Sequence, residues 1–256
     1  MSSANELTAT QAVDLMRAGK LSVVEMAEAC LARVRERDPL VKGWAFLDPE
    51  LILKSARELD KREVKGPLHG VPIAVKDVIM TADMPTQHNS PLYKGSFTSV
   101  DAGCVKTLRA AGALIFGKTD TTEFASVTRG GTARHPLDPT RTPGGSSSGS
   151  AAVVADKQAT IGLGTQTAGS TIRPGSFCGI YAMKPTWGAI DREGLKMLGL
   201  SLDTLGLYAR SADDLDLLAD VFELEDRMPI TPFSLKGARI AICQSPTWDK
   251  TEPATR

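Results

Sequence analysis

The sequence predicts an α/β fold, in which helices cover both faces of a β-sheet. Short apolar runs typical of buried strands alternate with amphipathic patterns typical of helices along most of the chain. Glycine accounts for 23 of the 256 residues, which favours loops with demanding backbone geometry. We find no internal repeat in this alternation. The chain is therefore expected to form one layered α/β structure.

Helices are predicted where apolar residues recur at spacings of three and four. Gly19 separates the first two helices in the manner of a C-cap, and Pro49 opens the third. Ser211, with Asp214 three residues later, is placed to begin the last helix with a capping box. The predicted helices lie at 7–16, 23–34, 49–62, 105–111, 146–155 and 211–222.

Strands are predicted at short apolar runs bounded by turn residues. They lie at 71–75, 113–116, 160–163, 180–183 and 238–243. The stretch 128–145 is rich in glycine, proline and threonine, which predicts a long loop. We expect a single domain over 1–244, with a helical segment over 7–62 and an α/β core over 66–244. The polar stretch 245–256 is expected to be a flexible tail.

Charge and hydropathy exclude several classes of protein. Lysine plus arginine total 30, as do aspartate plus glutamate, so no overall charge attracts nucleic acid or anionic lipid. No apolar run approaches the roughly 18 residues of a membrane span, and the polar N-terminus lacks a signal region. The widely spaced cysteines disfavour a zinc site or a disulfide framework, which predicts a cytoplasmic protein with reduced thiols.

One segment matches a phosphate-binding loop letter for letter. Residues 112–119 (GALIFGKT) fit G-x-x-x-x-G-K-[ST], the pattern in which backbone amides curl around phosphates. The four variable residues are Ala, Leu, Ile and Phe, which favour a buried strand instead. We therefore interpret 113–116 as a strand with Lys118 just beyond its end, and we disfavour a nucleotide site.

A second segment matches the nucleophile elbow of α/β-hydrolases. Residues 145–149 (GSSSG) place Ser147 at the centre of G-x-S-x-G. That fold needs a histidine after the serine, yet all the histidines of this chain precede it: His69, His88 and His135. A serine hydrolase built on this sequence must therefore use a base other than histidine.

A third set of segments supplies such a base and resembles the amidase signature family. Residues 70–77 (GVPIAVKD), which include Lys76, are similar to the lysine motif of that family, and 143–150 (PGGSSSGS) to its glycine–serine loop. The similarity extends from about residue 7 to residue 243. It continues, in the same order, through 164–170 (GTQTAGS), 173–174 (RP), 177–179 (FCG), 184–186 (KPT), 201–206 (SLDTLG) and 209–211 (ARS).

The resemblance implies both a fold and a set of catalytic residues. The fold is a mixed β-sheet core with helices on both faces, here lacking its C-terminal part, because family members normally continue well past this length. The serine–cis-serine–lysine triad of the family falls on Ser170 as nucleophile, Ser146 as bridging serine and Lys76 as base. The residues implied for the oxyanion hole and for substrate binding are Thr167, Ala168, Gly169 and Ser147.

The implied chemistry is consistent with these residue types. Lysine acts as a base only when neutral, and its ordinary pKa is about 10.4. Burial beside the apolar run 71–75 disfavours the ammonium and can lower the pKa of Lys76 by roughly 3 to 5 units. A helix N-terminus after the loop 144–150 adds positive potential that acts in the same direction.

The chain departs from the common family pattern near the triad. Gln166 stands where aspartate is common, and Ser148 and Ala168 stand where glycine is common. Gln166 removes a charge beside the nucleophile, which leaves the usual hydrogen-bond partners there in doubt. We expect Arg173 to hold the loop through a carbonyl or a carboxylate, and Asp77 to support the site from behind.

The sequence therefore predicts an amidohydrolase that cleaves carboxylic amide C–N bonds through a serine acyl-enzyme, with no metal or organic cofactor. Two alternatives stay open: a tRNA-dependent, glutaminase-type amidotransferase subunit that works with a partner, and a truncated, inactive amidase-like chain. We expect a small-molecule amide substrate, no direct contact with nucleic acid or membrane, and a sheet edge that favours a homo-oligomer. The segment 86–90 either lines the pocket near Lys76 or is an ordinary loop.

Overall fold

The computed structural model describes residues 3–63, 66–126, 129–224, 234, 236–244 and 246–253. The chain divides into two compact units, Met1–Leu224 and Glu225–Arg256. The α-helices and β-strands of the described residues belong to the first unit. The described part of the second unit forms one short 3₁₀ turn, Trp248–Lys250.

The helices of the first unit begin at side chains that suit their caps. Thr8 and Ser22 each accept a hydrogen bond from the amide three residues later, and Gln11 and Glu25 return one, which completes two capping boxes. The helices are α1 (Ala9–Arg17), α2 (Val23–Val41), α3 (Pro49–Asp60), α4 (Gly103–Ala110), α5 (Ser148–Ala155), α6 (Ile172–Cys178) and α7 (Ala212–Val221).

The capping box predicted for the last helix forms only in half. Ser211 accepts a hydrogen bond from the Asp214 amide, as predicted. The Asp214 carboxylate does not return to Ser211; it accepts from the amide and the hydroxyl of Thr10 instead. Asp214 therefore joins α7 to α1, and no local sequence pattern shows this long-range contact.

Six strands form one mixed sheet, which confirms the fold that the resemblance implies. The strands are β1 (Trp44–Phe46), β2 (Pro72–Lys76), β3 (Leu114–Thr119), β4 (Ile161–Gln166), β5 (Tyr181–Met183) and β6 (Thr204–Ala209). Their order across the sheet is β1-β3-β2-β4-β6-β5. β2 is parallel to both β3 and β4, so the C-terminal ends of these three strands share one edge, and the other pairings are antiparallel.

Alternating side chains of β3 pack on opposite faces of the sheet. Leu114 and Phe116 join an apolar cluster with α2 and α3, whereas Ile115 joins a larger cluster that includes Val105 of α4 and Leu218 of α7. A strand with helices on both faces requires this two-residue period with apolar side chains on either side. Both faces of the sheet are therefore covered, as predicted.

The strand predicted over 238–243 is wrong. Residues 238–244 are exposed and carry no regular secondary structure. Their apolar side chains, including Ile240 and Ile242, have no strand to pair with among the described residues of the second unit. The first compact unit ends at Leu224, and a single domain reaching residue 244 stays a prediction.

Three elements were not predicted, and one is longer than expected. β1, β6 and α6 are short or contain glycine, so their apolar period is weak. α2 continues past the predicted residue 34 because the charged stretch 33–38 hides its period without breaking the helix. The described part of the predicted long loop, 129–145, has neither helix nor strand, and residue 128 lies outside the described residues.

The described residues also bear on the expectations from hydropathy and cysteine spacing. No helix among them is long and apolar enough to cross a membrane. Cys30, Cys104 and Cys178 are buried free thiols, and burial raises the pKa of each to about 12. These thiols therefore stay protonated at neutral pH.

Candidate active site

The glycine–lysine segment 112–119 is not a phosphate-binding loop. Most of it forms β3, with every residue of the strand buried, as its apolar letters predict. The prediction that Lys118 lies beyond the strand end is wrong, because Lys118 lies within β3 and is fully buried. Its Nζ donates to Thr86 Oγ1 at 2.7 Å and to the Pro85 carbonyl at 3.1 Å, and pairs with Asp77 at 3.3 Å. Its charge is thus used inside the protein.

Lys76 is the last residue of β2, and its side chain is fully buried. Its Nζ donates to Ser146 Oγ at 2.7 Å and to Thr165 Oγ1 at 2.8 Å. In the part of the chain that the structure describes, no carboxylate forms an ion pair with it. Two members of the predicted triad, Lys76 and Ser146, are therefore in direct contact.

Burial determines the protonation of Lys76. Loss of water around the ammonium lowers the pKa of Lys76 to about 7, and the negative charge of Asp203 opposes this shift. A large fraction of molecules then carries a neutral amine at neutral pH, which is not true of an ordinary lysine. A neutral amine in contact with a hydroxyl is able to accept its proton.

Ser146 is positioned by its backbone. The Gly145–Ser146 peptide bond is cis, as the resemblance implies. Arg173 donates through Nε and Nη2 to the Gly145 carbonyl, and Thr121 Oγ1 donates to the Ser146 carbonyl at 3.0 Å. Arg173 therefore holds the loop through a carbonyl, as expected, and the Ser146 hydroxyl points to Lys76.

Ser170 lies on the turn between β4 and α6. Gln166, at the end of β4, accepts from the amides of Thr171 and Ile172 at 2.8 and 2.9 Å, so a neutral side chain caps this turn. Ser170 is half-buried and lines the same cavity as Ser146. Among the described residues its hydroxyl makes no hydrogen bond to Ser146. The structure thus places the predicted nucleophile beside the lysine–serine pair without direct hydroxyl contact.

The cavity at this site has a volume of about 400 Å³, which suits a small molecule. Its ionisable lining residues are two arginines, Arg134 and Arg173. Most of the other lining residues are serines, threonines and glycines. The lining includes Thr122, Gly130, Gly131, Thr142, Gly144, Gly145, Ser146, Ser148 and Ser170.

The residues predicted for the oxyanion hole and for substrate binding differ in exposure and in hydrogen bonding. Ala168 is exposed and Thr167 and Gly169 are partly exposed, and the amides of 168–170 donate to no acceptor in the described chain. The assignment of Ser147 to substrate binding needs correction. Its hydroxyl is fully buried, donates to the carbonyl of Thr165 and accepts from the amide of the same residue, each at 3.2 Å. Ser147 therefore joins the start of α5 to β4.

Two residues at this site were not singled out from the sequence. Thr165 provides the second oxygen that contacts Lys76 Nζ, and Asp203 accepts a hydrogen bond from the Thr167 hydroxyl. Both lie within motifs that carry the resemblance, 164–170 and 201–206, which is the signal that marks them. Which side chains of these motifs face the site depends on strand register, and register is not visible in either motif alone.

The segment 86–90 lies at a different cavity. Gln87, Asn89 and Ser90 line a cavity of about 470 Å³, together with Asp77. Asp77 accepts from the Gln87 amide and pairs with Lys118, so it holds this segment against the sheet. The segment is therefore a loop outside the lining of the cavity beside Ser146. Asp77 stabilises this loop and Lys118.

Comparison with known proteins decides the family. A family model described as Amidase matches residues 25–256. The chain belongs to this amidase family. The resemblance seen in the sequence motifs is thereby confirmed over nearly the whole chain.

Several relatives of this amidase-family chain are known. A glutamyl-tRNA(Gln) amidotransferase subunit from Chloroflexus aurantiacus is 41% identical over 235 residues, which cover 88% of this chain and 48% of the relative. The subunit of the same name from Symbiobacterium thermophilum is 42% identical with the same coverage. The structure of peptide amidase from Stenotrophomonas maltophilia has a TM-score of 0.78 and 35% identity, and covers 85% of this chain and 47% of that one. The chain spans about half the length of the curated relatives it matches.

Proposed function

We propose that this site hydrolyses the C–N bond of a small carboxylic amide through an acyl-enzyme on Ser170. The observation that supports the proposal most is the buried contact of Lys76 Nζ with Ser146 Oγ at 2.7 Å, beside the cavity that Ser170 lines. A neutral amine in contact with one hydroxyl, next to a second, provides a serine nucleophile with a base, and none of the described residues that line this cavity is a histidine. Membership of the amidase family supports amide bonds as the target.

Proton transfer in this proposal begins at Lys76. The lone pair of its neutral amine accepts the proton of Ser146, whose oxygen takes the proton of Ser170 as Ser170 attacks the amide carbonyl. Lys76 then returns the proton through Ser146 to the departing nitrogen, which leaves as ammonia or an amine while the acyl group stays on Ser170. A water molecule attacks the acyl-enzyme by the same route, which releases the acid and restores the Ser170 hydroxyl.

Backbone amides supply the proposed oxyanion hole. The amides of 168–170 belong to Ser170 and to the two residues before it, and they have no acceptor within the described chain. One donor of this kind typically contributes about 3 to 4 kcal/mol to transition-state stabilisation. The helix α5 begins at Ser148, so its N-terminal partial positive charge lies next to Ser146 and disfavours the Lys76 ammonium.

Labelling with a fluorophosphonate tests this proposal. The probe bonds covalently to an activated serine oxygen, and mass spectrometry then locates the modified residue. We expect modification at Ser170, its loss in Ser170→Ala, and a labelling rate that falls by about 10²-fold or more in Lys76→Met. Ser176→Ala is the matched control, because Ser176 is exposed on α6, the helix that follows the Ser170 turn, and lies outside the cavity lining.

Two outcomes would contradict the proposal. One is modification of a serine other than Ser170, and the other is labelling that persists unchanged in Lys76→Met. A folded wild-type chain that takes up no label at all would support the inactive amidase-like alternative. Circular dichroism of each variant confirms that it is folded.

A second candidate is an amidotransferase subunit of the tRNA-dependent, glutaminase type. It is favoured by the two amidotransferase subunits described above, which are 41% and 42% identical to this chain. In this case the same triad cleaves a glutamine amide and passes ammonia to a partner protein. Glutaminase activity that appears only with a tRNA-binding partner would support this candidate, whereas turnover of simple amides by the isolated chain would support the hydrolase.

A further inference from the structure

The turn that carries Ser170 is held at both ends by side chains. At its downstream end, Gln166 Oε1 accepts from the first two amides after Ser170, at 2.8 and 2.9 Å. At its upstream end, the Thr167 hydroxyl donates to Asp203 Oδ1 at 2.5 Å. The conformation of 168–170, which bears the proposed oxyanion donors and nucleophile, is therefore set from outside the turn.

Sheet register brings Asp203 to this turn. Gln166 is paired with Thr204 in the antiparallel ladder of β4 and β6, so Thr167 and Asp203, one step beyond, lie opposite each other. Asp203 is buried, and its other oxygen, Oδ2, accepts from the amides of residues 198–199 at 2.5 and 2.9 Å. These bonds fix the carboxylate in place, so it offers Thr167 a rigid acceptor.

We propose that Asp203 is a positioning residue for Ser170, acting through the hydroxyl of Thr167. With Oδ2 fixed to residues 198–199, Oδ1 holds the start of the turn and so sets the position of the amides of 168–170 and of Ser170, which lines the cavity. This inference rests on the proposed function; the Asp203 carboxylate and the Thr167 hydroxyl bond to each other, and neither residue is in the lining of the cavity beside Ser146. Displacement of reacting groups by about 1 Å is able to lower a rate about 10²-fold, so such an anchor matters for catalysis.

The charge of Asp203 has a second effect, on the pKa of Lys76, and this effect distinguishes the role of Asp203 from that of Thr167. Asp203 raises the pKa of Lys76 against the larger effect of burial. Asp203→Asn is therefore expected to lower the labelling rate. It is also expected to shift the fall of that rate at acid pH (the acid limb of the pH profile) to lower pH, because the Lys76 ammonium loses a favourable charge. Thr167→Val removes the anchor but no charge, so its acid limb is expected to stay in place.

The test uses threonine substitutions that keep the backbone amide. In Thr167→Val, which is isosteric but has no donor, the rate of Ser170 labelling is expected to fall about 10- to 100-fold. Thr167→Ser keeps the hydroxyl and is expected to restore most of that rate. Thr160→Val is the matched control, because the Thr160 hydroxyl is buried without a hydrogen-bond partner among the described residues. Its labelling rate is expected to equal that of the wild type.

Hydrogen exchange gives a measurement that does not depend on catalysis. The Ser147 amide donates to the Ser170 carbonyl at 3.3 Å, so it reports on the position of the turn. We expect this amide to exchange faster in Thr167→Val and at the wild-type rate in Thr160→Val. Unchanged labelling and unchanged exchange in Thr167→Val would overturn the inference while leaving Ser170 labelling intact. A wild-type chain that is never labelled contradicts the proposed function instead, and exchange at Ser147 then decides whether Asp203 anchors the turn.

Discussion

Two lysines lie buried on neighbouring strands of this sheet, and their surroundings are opposite. In the parallel ladder of β2 and β3, Lys76 is paired with Thr119 and Lys118 with Val75, so their side chains point to opposite faces. On one face, the hydrogen-bond partners of Lys76 Nζ among the described residues are two hydroxyl groups, those of Ser146 and Thr165. On the other, Lys118 meets the buried carboxylate of Asp77 at 3.3 Å. One residue type at the same depth therefore has two different electrostatic environments.

The difference shows that the contacting group, a carboxylate or a hydroxyl, determines whether a buried amine stabilises the fold or is suited to act as a base. Burial lowers the pKa of Lys76 to about 7 and that of Lys118 to about 8, and Asp77 opposes the shift for Lys118 through charge and a hydrogen bond. With a carboxylate in contact, the ammonium compensates a buried negative charge and stabilises the fold. With hydroxyls in contact, the amine has partners to which it donates or from which it accepts a proton, as a base requires.

The largest expected effect is the loss of activity in Lys76→Met. Removal of a general base typically lowers a rate about 10²- to 10⁴-fold, while the apolar side chain suits the buried position and leaves the fold intact. Amide turnover or Ser170 labelling measures the first effect, and thermal unfolding measures the second. A variant that keeps wild-type activity would show that Lys76 is as structural as Lys118.

Lys118→Met is expected to have the opposite result, a loss of stability. Asp77 would be left buried without its counter-charge, which typically costs about 3 to 5 kcal/mol in the free energy of unfolding. Urea denaturation measures this loss. The double variant Lys118→Met with Asp77→Asn is expected to recover part of it, because the unpaired charge is gone; no recovery would show that the ion pair is not the cause.

The pH dependence of Lys76 gives the next effect. Because the base must be neutral, activity is expected to fall about tenfold per pH unit below its pKa of about 7. Its pKa is lower in the folded chain than the unfolded value of about 10.4, so the unfolded chain binds more protons between these values. The contribution of Lys76 to the free energy of unfolding therefore rises with pH across that window.

Urea denaturation of wild type and Lys76→Met across the same pH range checks the sign. The variant is expected to gain most stability relative to wild type at and below about pH 7, and the gain is expected to shrink toward about pH 10. A difference between the two proteins that does not change with pH would contradict a neutral Lys76 in the folded state.

The smallest expected effect comes from Thr165→Val. Thr165 Oγ1 accepts from Lys76 Nζ at 2.8 Å and stabilises the ammonium more than the amine. Its removal is expected to lower the pKa of Lys76 and to shift the acid limb of labelling to lower pH, by about one unit or less. Thr165→Ser keeps the oxygen and serves as the control. A shift to higher pH would refute this role.

Local sequence was enough to predict the two strands that carry the buried lysines. The apolar run before Lys76 predicts β2, and the letters of 112–119 predict a strand where the motif alone predicts a phosphate site. Prediction failed where a residue depends on a distant partner. Lys118 lies buried where Asp77 compensates its charge, and the apolar stretch 238–243 forms no strand because the described part of its unit offers none to pair with.

The sequence by itself determined the family and predicted the strand that ends at Lys76 and the strand before Ser170, because these follow from motifs and from apolar periods along the chain. Only the tertiary structure decided which hydroxyl faces which amine. The contacts of Lys76 with Thr165, of Asp203 with Thr167 and of Lys118 with Asp77 arise from strand register and from the face to which each side chain points. Both are set by packing between segments far apart in the chain, and a shift of one residue would reverse them.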